Sequence, residues 1–117
     1  METAMKFEKD LVGEVTVCGI SGEINITSVG ELRGLFDSLV RSGSKKVVAD
    51  LAALEYIDSS GLAVMIELHQ RLIKGGGVLK LCGLNERING IFDVTKLNSI
   101  FQIRKNRETA LAEFNKA

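Results

Sequence analysis

Two apolar segments on either side of an amphipathic one constrain the fold of this chain more than any other feature. Residues 46–51 (KVVADL) form a short β-branched run of the kind that is buried on both faces of a sheet. Residues 78–82 (VLKLC) form a second run, directly after the three glycines at 75–77. Between the runs, apolar side chains recur at helical spacing, which predicts a helix that begins after Asp58 and ends at the glycines. The residues predicted on its inward side are Leu62, Met65, Ile66, His69, Leu72 and Ile73. Two strands joined through such a helix pair in parallel by a right-handed crossover.

The segments before this unit predict a hairpin and a helix. Residues 5–9 and 15–18 have strand patterns on either side of a segment with turn chemistry at 10–13. A helical pattern follows, and Ser28 with Glu31 has the spacing of a capping box at its start.

The segments after the unit predict shorter elements. Asn85 caps a short helix, residues 100–103 form a brief edge strand, and Asn106 caps a closing helix. The whole pattern predicts the α/β fold class. We expect a single domain over residues 1–117, with a mixed β-sheet of about four to five strands and helices packed against it.

The charges of the chain are balanced and evenly spread. Lysine and arginine total 15, aspartate and glutamate total 15, and no block of like charge occurs. This argues against an electrostatic grip on nucleic acid or on an anionic membrane. No apolar stretch approaches the length that spans a bilayer, and no charged leader precedes an apolar core. We therefore expect a cytoplasmic protein that does not bind nucleic acid or insert into a membrane.

The cysteines and the single histidine do not form a pattern for a metal or a cofactor. Cys18 and Cys82 lie in apolar runs without C-x-x-C spacing, so they are predicted to be buried core residues. His69 lies on the apolar side of the helix after Asp58, where a hydrogen-bonded core histidine is preferred over a catalytic base. We expect no metal site and no cofactor.

Consecutive hydroxyl side chains occur at the start of that helix, in residues 56–62 (YIDSSGL). A strand-to-helix turn here presents Ser59 and Ser60 beside Asp58. The start of a helix leaves backbone N–H groups without partners and carries a partial positive charge, so it tolerates a phosphate on Ser59. An ordinary structural interpretation stays open, because Asp58 is a common N-cap residue and Gly61 can simply permit close packing of helix on sheet.

The IDSSGL segment at 57–62 resembles the phosphorylation motif of the STAS domain, the fold of bacterial anti-sigma factor antagonists. The resemblance extends from the GEI segment at 22–24 to Phe114 in the closing helix. It implies that Ser59 is the phosphorylated serine, with Asp58 as its acidic neighbour and Ser60 as the adjacent hydroxyl.

The resemblance also implies partners and a partner-switching mechanism. The unphosphorylated protein would bind an anti-sigma factor that is also a serine kinase, and would thereby free the sigma factor for transcription. Phosphorylation of Ser59 would switch this off, and a phosphatase would restore it. An alternative within the same fold is a STAS subunit of another assembly, either a stressosome scaffold or an accessory subunit of an ABC-type lipid transporter.

We expect no enzyme, because Ser59 lacks the G-x-S-x-G setting of a nucleophile and no base is positioned for it.

Further residues are candidates for the partner surface. Val64 and Leu68 project away from the main apolar stripe of their helix, either toward a partner or beneath the third helix. Glu23 and Asn25 belong to the same surface or are solvated turn residues. Members of the family often have an acidic residue at the position of Asn25, which keeps hydrogen-bonding capacity but lacks the charge. The predicted partner-binding set is Glu23, Asn25, Asp58, Ser59, Ser60, Gly61, Val64 and Leu68.

Overall fold

The computed structural model describes residues 4–115, and within them the chain forms six strands, four helices and one 3₁₀ turn. In chain order the elements are β1 (Lys6–Val12), β2 (Val15–Ile24), α1 (Val29–Arg41), β3 (Lys46–Asp50), β4 (Leu54–Ile57), α2 (Ser59–Lys74), β5 (Val78–Cys82), α3 (Glu86–Val94), the 3₁₀ turn (Leu97–Ser99), β6 (Gln102–Arg104) and α4 (Arg107–Phe114). None of the four helices in this range has both the length and the apolar character needed to cross a bilayer.

The parallel unit predicted from the two apolar runs lies at the centre of the sheet. β3 and β5 pair in parallel, with Val47 opposite Leu79, and α2 forms the crossover between them. The sheet order is β1-β2-β3-β5-β6, and β4 pairs in parallel with the end of β2. Among the described strands, β1 alone runs antiparallel to its neighbour. The predicted α/β class with a mixed sheet is confirmed, and β4 is a strand that the sequence pattern did not predict.

The side chains of β2 alternate between two buried faces of the sheet. Cys18, Ile20 and Ile24 face the large apolar cluster that contains the buried residues of α1 and α2, and we call this the front face. The opposite face, which we call the reverse face, is covered by α4. Its buried residues are Val15, Val17, Val48, Cys82 and Ala110. The two cysteines are free and buried on different faces, which confirms their prediction as core residues.

Three local predictions are wrong. β1 continues further than expected, so the hairpin turn lies at Gly13 and Glu14, where the φ of +62° at Gly13 suits glycine. The hydroxyl of Ser28 donates to the carbonyl of Glu23 and makes no cap bond to α1, so no capping box forms. Ile73 was expected on the inward side of α2, but it lies in the last turn and is 55% exposed.

Candidate functional site

Asp58 precedes α2 and makes the hydrogen bonds that fix the strand-to-helix turn. It has the extended backbone of an N-cap residue, with a φ of −100° and a ψ of −176°. Its Oδ1 accepts hydrogen bonds from the N–H of Gly61 at 3.1 Å and from the hydroxyl of Ser60 at 2.5 Å. The carboxylate therefore satisfies donors in the first turn, including a backbone N–H that the helix itself leaves without a partner.

The same carboxylate also binds the loop that follows β2. Asp58 Oδ2 accepts a hydrogen bond from the N–H of Ile26 at 3.1 Å, and the Asp58 N–H donates to the carbonyl of Ile24 at 3.0 Å. Desolvation opposes ionisation of Asp58, but its hydrogen bonds, above all the one from Ser60, outweigh that effect and hold the pKa below its ordinary value. Asp58 is therefore a fixed negative charge at the start of α2.

The two adjacent serines differ in what they contact. Ser59 is the first residue of α2 and is exposed. Ser60 is half-buried, and its hydroxyl is engaged with Asp58. The Ser59 hydroxyl takes no part in this cap, so an enzyme can reach it without breaking the bonds that hold the helix start.

Gly61 is required for the approach of α2 to the sheet. A Cβ at this position would lie 2.5 Å from Ile24 Cγ2 and 2.7 Å from Ile57 Cγ1. Both side chains belong to the buried front face. Close packing, the ordinary interpretation of Gly61, is therefore confirmed, and its inclusion in the partner-binding set is wrong because the residue is buried.

Glu23 and Asn25 lie at the end of β2 and in the loop before α1, and both are half-buried. Asn25 Oδ1 accepts hydrogen bonds from the N–H groups of Thr27 and Ser28, at 3.0 and 3.2 Å. The amide side chain is thus engaged in shaping the turn. Glu23 and Asn25 also line a groove of about 310 Å³ with Glu31.

The family model described as the STAS domain matches residues 6–110. The chain belongs to the STAS domain family. BtrV of Bordetella bronchiseptica is 31% identical over 113 residues, with 97% of both chains covered. The anti-sigma-B factor antagonist of Bacillus subtilis is 36% identical over 89 residues, which cover 76% of this chain and 81% of the relative.

A solved structure provides a comparison at the level of the fold. SpoIIAA, a Bacillus cell fate determinant, has been solved in its phosphorylated form and matches with a TM-score of 0.74 at 19% identity. The match covers 94% of this chain and all of the other. At this identity the similarity establishes the STAS fold alone.

Two predicted partner residues are part of the core of this STAS domain. Val64 and Leu68 are each 2% exposed and belong to the front-face cluster. They therefore pack inside the protein, in the cluster that also contains buried residues of α1 and the sheet, and their burial contradicts their assignment to the partner surface. The residues of the predicted set that are at least partly exposed are Glu23, Asn25, Asp58, Ser59 and Ser60.

One exposed apolar residue beside Asp58 was not predicted from the sequence. Ile26 is 73% exposed, and its backbone is hydrogen-bonded to Asp58. It lies in the loop between β2 and α1, where no periodicity indicates which side chains face outward. The only available signal was a large apolar residue within the polar segment NITS.

His69 is half-buried on α2 and packs beside Phe101. Its ring lies 5.1 Å from that of Phe101, centroid to centroid, at an angle of 54°. Among the described residues its buried Nδ1 has no hydrogen-bond partner, so the predicted hydrogen-bonded histidine is not observed at this nitrogen. Within residues 4–115, no group of acidic, cysteine or histidine side chains is arranged to hold a metal ion.

Proposed function

We propose that this STAS protein is a regulator that binds an anti-sigma factor in its unphosphorylated form and is switched off by phosphorylation of Ser59. The observation that carries the proposal is the exposed Ser59 at the first position of a helix that Asp58 already caps. The anti-sigma factor acts as the serine kinase, and a phosphatase restores the binding form. While the anti-sigma factor is bound, the sigma factor is free for transcription in the cytoplasm. The protein acts by binding and not by catalysis.

The names of the relatives support this assignment. Relatives from Bacillus subtilis and Staphylococcus epidermidis are named anti-sigma-B factor antagonists. SpoIIAA, which shares the fold, exists in an unphosphorylated and a phosphorylated form. A single exposed serine in a capped helix start gives this chain a position for the same modification.

The start of α2 can accept a phosphate without rearrangement of the core. The first turn of a helix carries a partial positive charge and has backbone N–H groups that favour an anion. Ser59 is exposed, while the residues that pack α2 on the sheet at this end, Ile24 and Ile57, are buried beneath Gly61. The phosphate therefore lies in solvent and changes the surface alone.

The added charge is sufficient to release a partner. A phosphate carries about −1.5 to −2 charges at neutral pH and would stand beside the Asp58 carboxylate. Like charges brought together in an interface cost several kcal/mol, and about 1.4 kcal/mol is a tenfold change in affinity. A partner whose surface accepts a neutral serine therefore no longer binds after phosphorylation.

A phosphorylation assay tests the site. Incubation of the full chain with ATP and a purified candidate anti-sigma factor kinase should add the mass of one phosphate to the wild type and none to Ser59→Ala. Ser60→Ala is the matched control, since it removes the neighbouring hydroxyl but leaves Ser59 in place, and it should still gain one phosphate. Phosphate on Ser59→Ala, or none on Ser60→Ala, would contradict the assignment of Ser59.

A binding titration tests the switch. Ser59→Asp should bind the same kinase at least about tenfold more weakly than the wild type, because it places a second carboxylate beside Asp58. Ser59→Thr keeps a neutral hydroxyl and should retain most of the affinity. Equal affinities for the wild type and Ser59→Asp would contradict charge-based release.

A further inference from the structure

α4 is attached to the reverse face by ion pairs at both of its ends. At its first residue, Arg107 Nε lies 2.9 Å from Asp50 Oδ2 at the end of β3. Near its last residue, Glu113 binds Lys80 Nζ at 2.8 Å and Arg104 Nε at 2.6 Å. Lys80 is only 7% exposed and lies on β5, so this second contact is partly removed from water. Charged contacts therefore fix both ends of α4 to the sheet.

The apolar contacts of α4 are few by comparison. Of its eight residues, Ala110 is the one that is fully buried, and Leu111 and Phe114 are half-buried against the sheet. A helix of this length is not stable alone in water, so the segment is helical because it is docked. The reverse-face cluster shares no residue with the front-face cluster, because the sheet lies between them. Release of α4 therefore leaves the front-face core intact.

We propose that α4 is a strap that opens from the reverse face separately from the unfolding of the domain, and that the ion pairs of Arg107 and Glu113 set how often it opens. Opening uncovers the apolar strip formed by Val15, Val17 and Val48, together with the Cys82 thiol. Cys18, on the front face, stays covered. This inference is independent of Ser59 and of the proposed function.

The two thiols are internal reporters of this opening. Burial raises the pKa of both Cys18 and Cys82 to about 12, so neither thiol reacts at an appreciable rate while it is covered. The full chain is incubated with N-ethylmaleimide under native conditions, and the labelling of each cysteine is followed by peptide mass mapping. Cys82 should be labelled at least about tenfold faster than Cys18. Local opening of α4 exposes Cys82, whereas exposure of Cys18 requires unfolding of the whole domain.

Charge removal identifies what controls the opening. Glu113→Gln keeps an oxygen that can accept from Lys80 but lacks the charge, so it should speed labelling of Cys82 about threefold or more and leave Cys18 unchanged. A rise in NaCl concentration should act in the same direction on the wild type, which keeps the test valid if the variant folds poorly. Arg33→Gln is the matched control, because it removes an exposed ion pair with Glu67 between α1 and α2. It should change neither rate.

Three results would overturn the strap. One is equal labelling rates for the two cysteines of the wild type. Another is a Cys82 rate that responds neither to Glu113→Gln nor to salt. The third is an acceleration of Cys18 and Cys82 together in Glu113→Gln, because that would show that the whole domain unfolds as one unit.

Discussion

The start of α2 depends on two residues of opposite chemistry. The carboxylate of Asp58 binds the first turn and the loop after β2. Gly61 has no side chain, and this lets the helix approach the sheet. Ser59, between them, contributes to neither task. A residue that is not required for the cap or for the packing can be modified while the structure around it stays unchanged.

Gly61→Ala should destabilise the protein by about 1–3 kcal/mol, because the new methyl group overlaps two buried isoleucine side chains. The measurement is the free energy of unfolding from urea titration. Gly34→Ala is the matched control. Gly34 lies within α1 with nothing near its missing Cβ, so alanine there should stabilise the protein by about 0.5–1 kcal/mol. Equal effects at both sites would contradict the close contact at Gly61.

Asp58→Ala should lower the free energy of unfolding by about 1–2 kcal/mol, because it removes the cap of α2 and the bond to Ile26. Asp58→Asn keeps an oxygen that can accept the N–H of Gly61, so its cost should be clearly smaller. Urea titration of the three proteins at neutral pH gives both differences. A loss for asparagine as large as that for alanine would mean that the charge, and not the cap geometry, carries the stabilisation.

At the residue scale, the sequence predicted correctly that Ser59 lies at the start of α2, but it did not predict which other side chains of α2 are buried. The position of Ser59 follows from local chemistry, since an aspartate before a helical pattern marks the helix start. Val64 and Leu68 were misassigned because a single apolar stripe was assumed. α2 packs on the sheet and also beside α1, so a wider arc of its surface is buried than one stripe provides.

At the scale of elements, the helices were predictable and β4 was not. Asn85 and Asn106 cap α3 and α4 as predicted, because an N-cap acts within three residues of itself. β4 has only four residues, and its burial pattern of buried, exposed, exposed, buried does not alternate. Its pairing with β2 contains an irregularity in register at Gly22 and Glu23. A strand that forms because it pairs with a distant segment has no signal in its own sequence comparable to an N-cap residue.

Asn85→Ala should cost more stability than Asn106→Ala, although both remove an N-cap. The Asn85 side chain accepts from the N–H of Ile88 and also donates to the carbonyl of Leu54, which joins α3 to β4. The Asn106 side chain binds only Thr109 within the described residues. We expect a loss of about 1 kcal/mol for Asn106→Ala and about 2 kcal/mol for Asn85→Ala in urea titration. The reverse order would contradict the role of Asn85 in attaching β4.

At the scale of the whole molecule, the crossover at the centre of the sheet could be predicted from the sequence, but the distant ion pairs on the reverse face could not. The parallel crossover of β3, α2 and β5 could be predicted because its elements follow one another in the chain. Two of the ion pairs that attach α4 join residues far apart in sequence, 57 positions for Arg107 with Asp50 and 33 for Lys80 with Glu113. Nothing near any of these residues indicates its partner.

The ion pairs of Glu113 make the stability of the molecule dependent on pH in the acid range. Hydrogen bonds from Arg104 and then Lys80 lower the pKa of Glu113 from 4.5 to about 2. The folded protein therefore binds this proton more weakly than the unfolded chain does, and the contribution of Glu113 to stability is fully present above pH 4.5. It is lost as the pH falls from 4.5 toward about 2. The lowered pKa of Asp58 acts in the same direction.

Glu113→Gln should therefore flatten the acid limb of the stability curve. Urea titrations at several pH values between 2 and 7 should show the free energy of unfolding of the wild type falling below pH 4.5 more steeply than that of the variant. Glu14→Gln is the matched control, because the Glu14 side chain is 85% exposed in its ion pair with Lys46. That control should keep the slope of the wild type. If the curve of Glu113→Gln ran parallel to that of the wild type through this range, the attachment of α4 would not depend on the charge of Glu113.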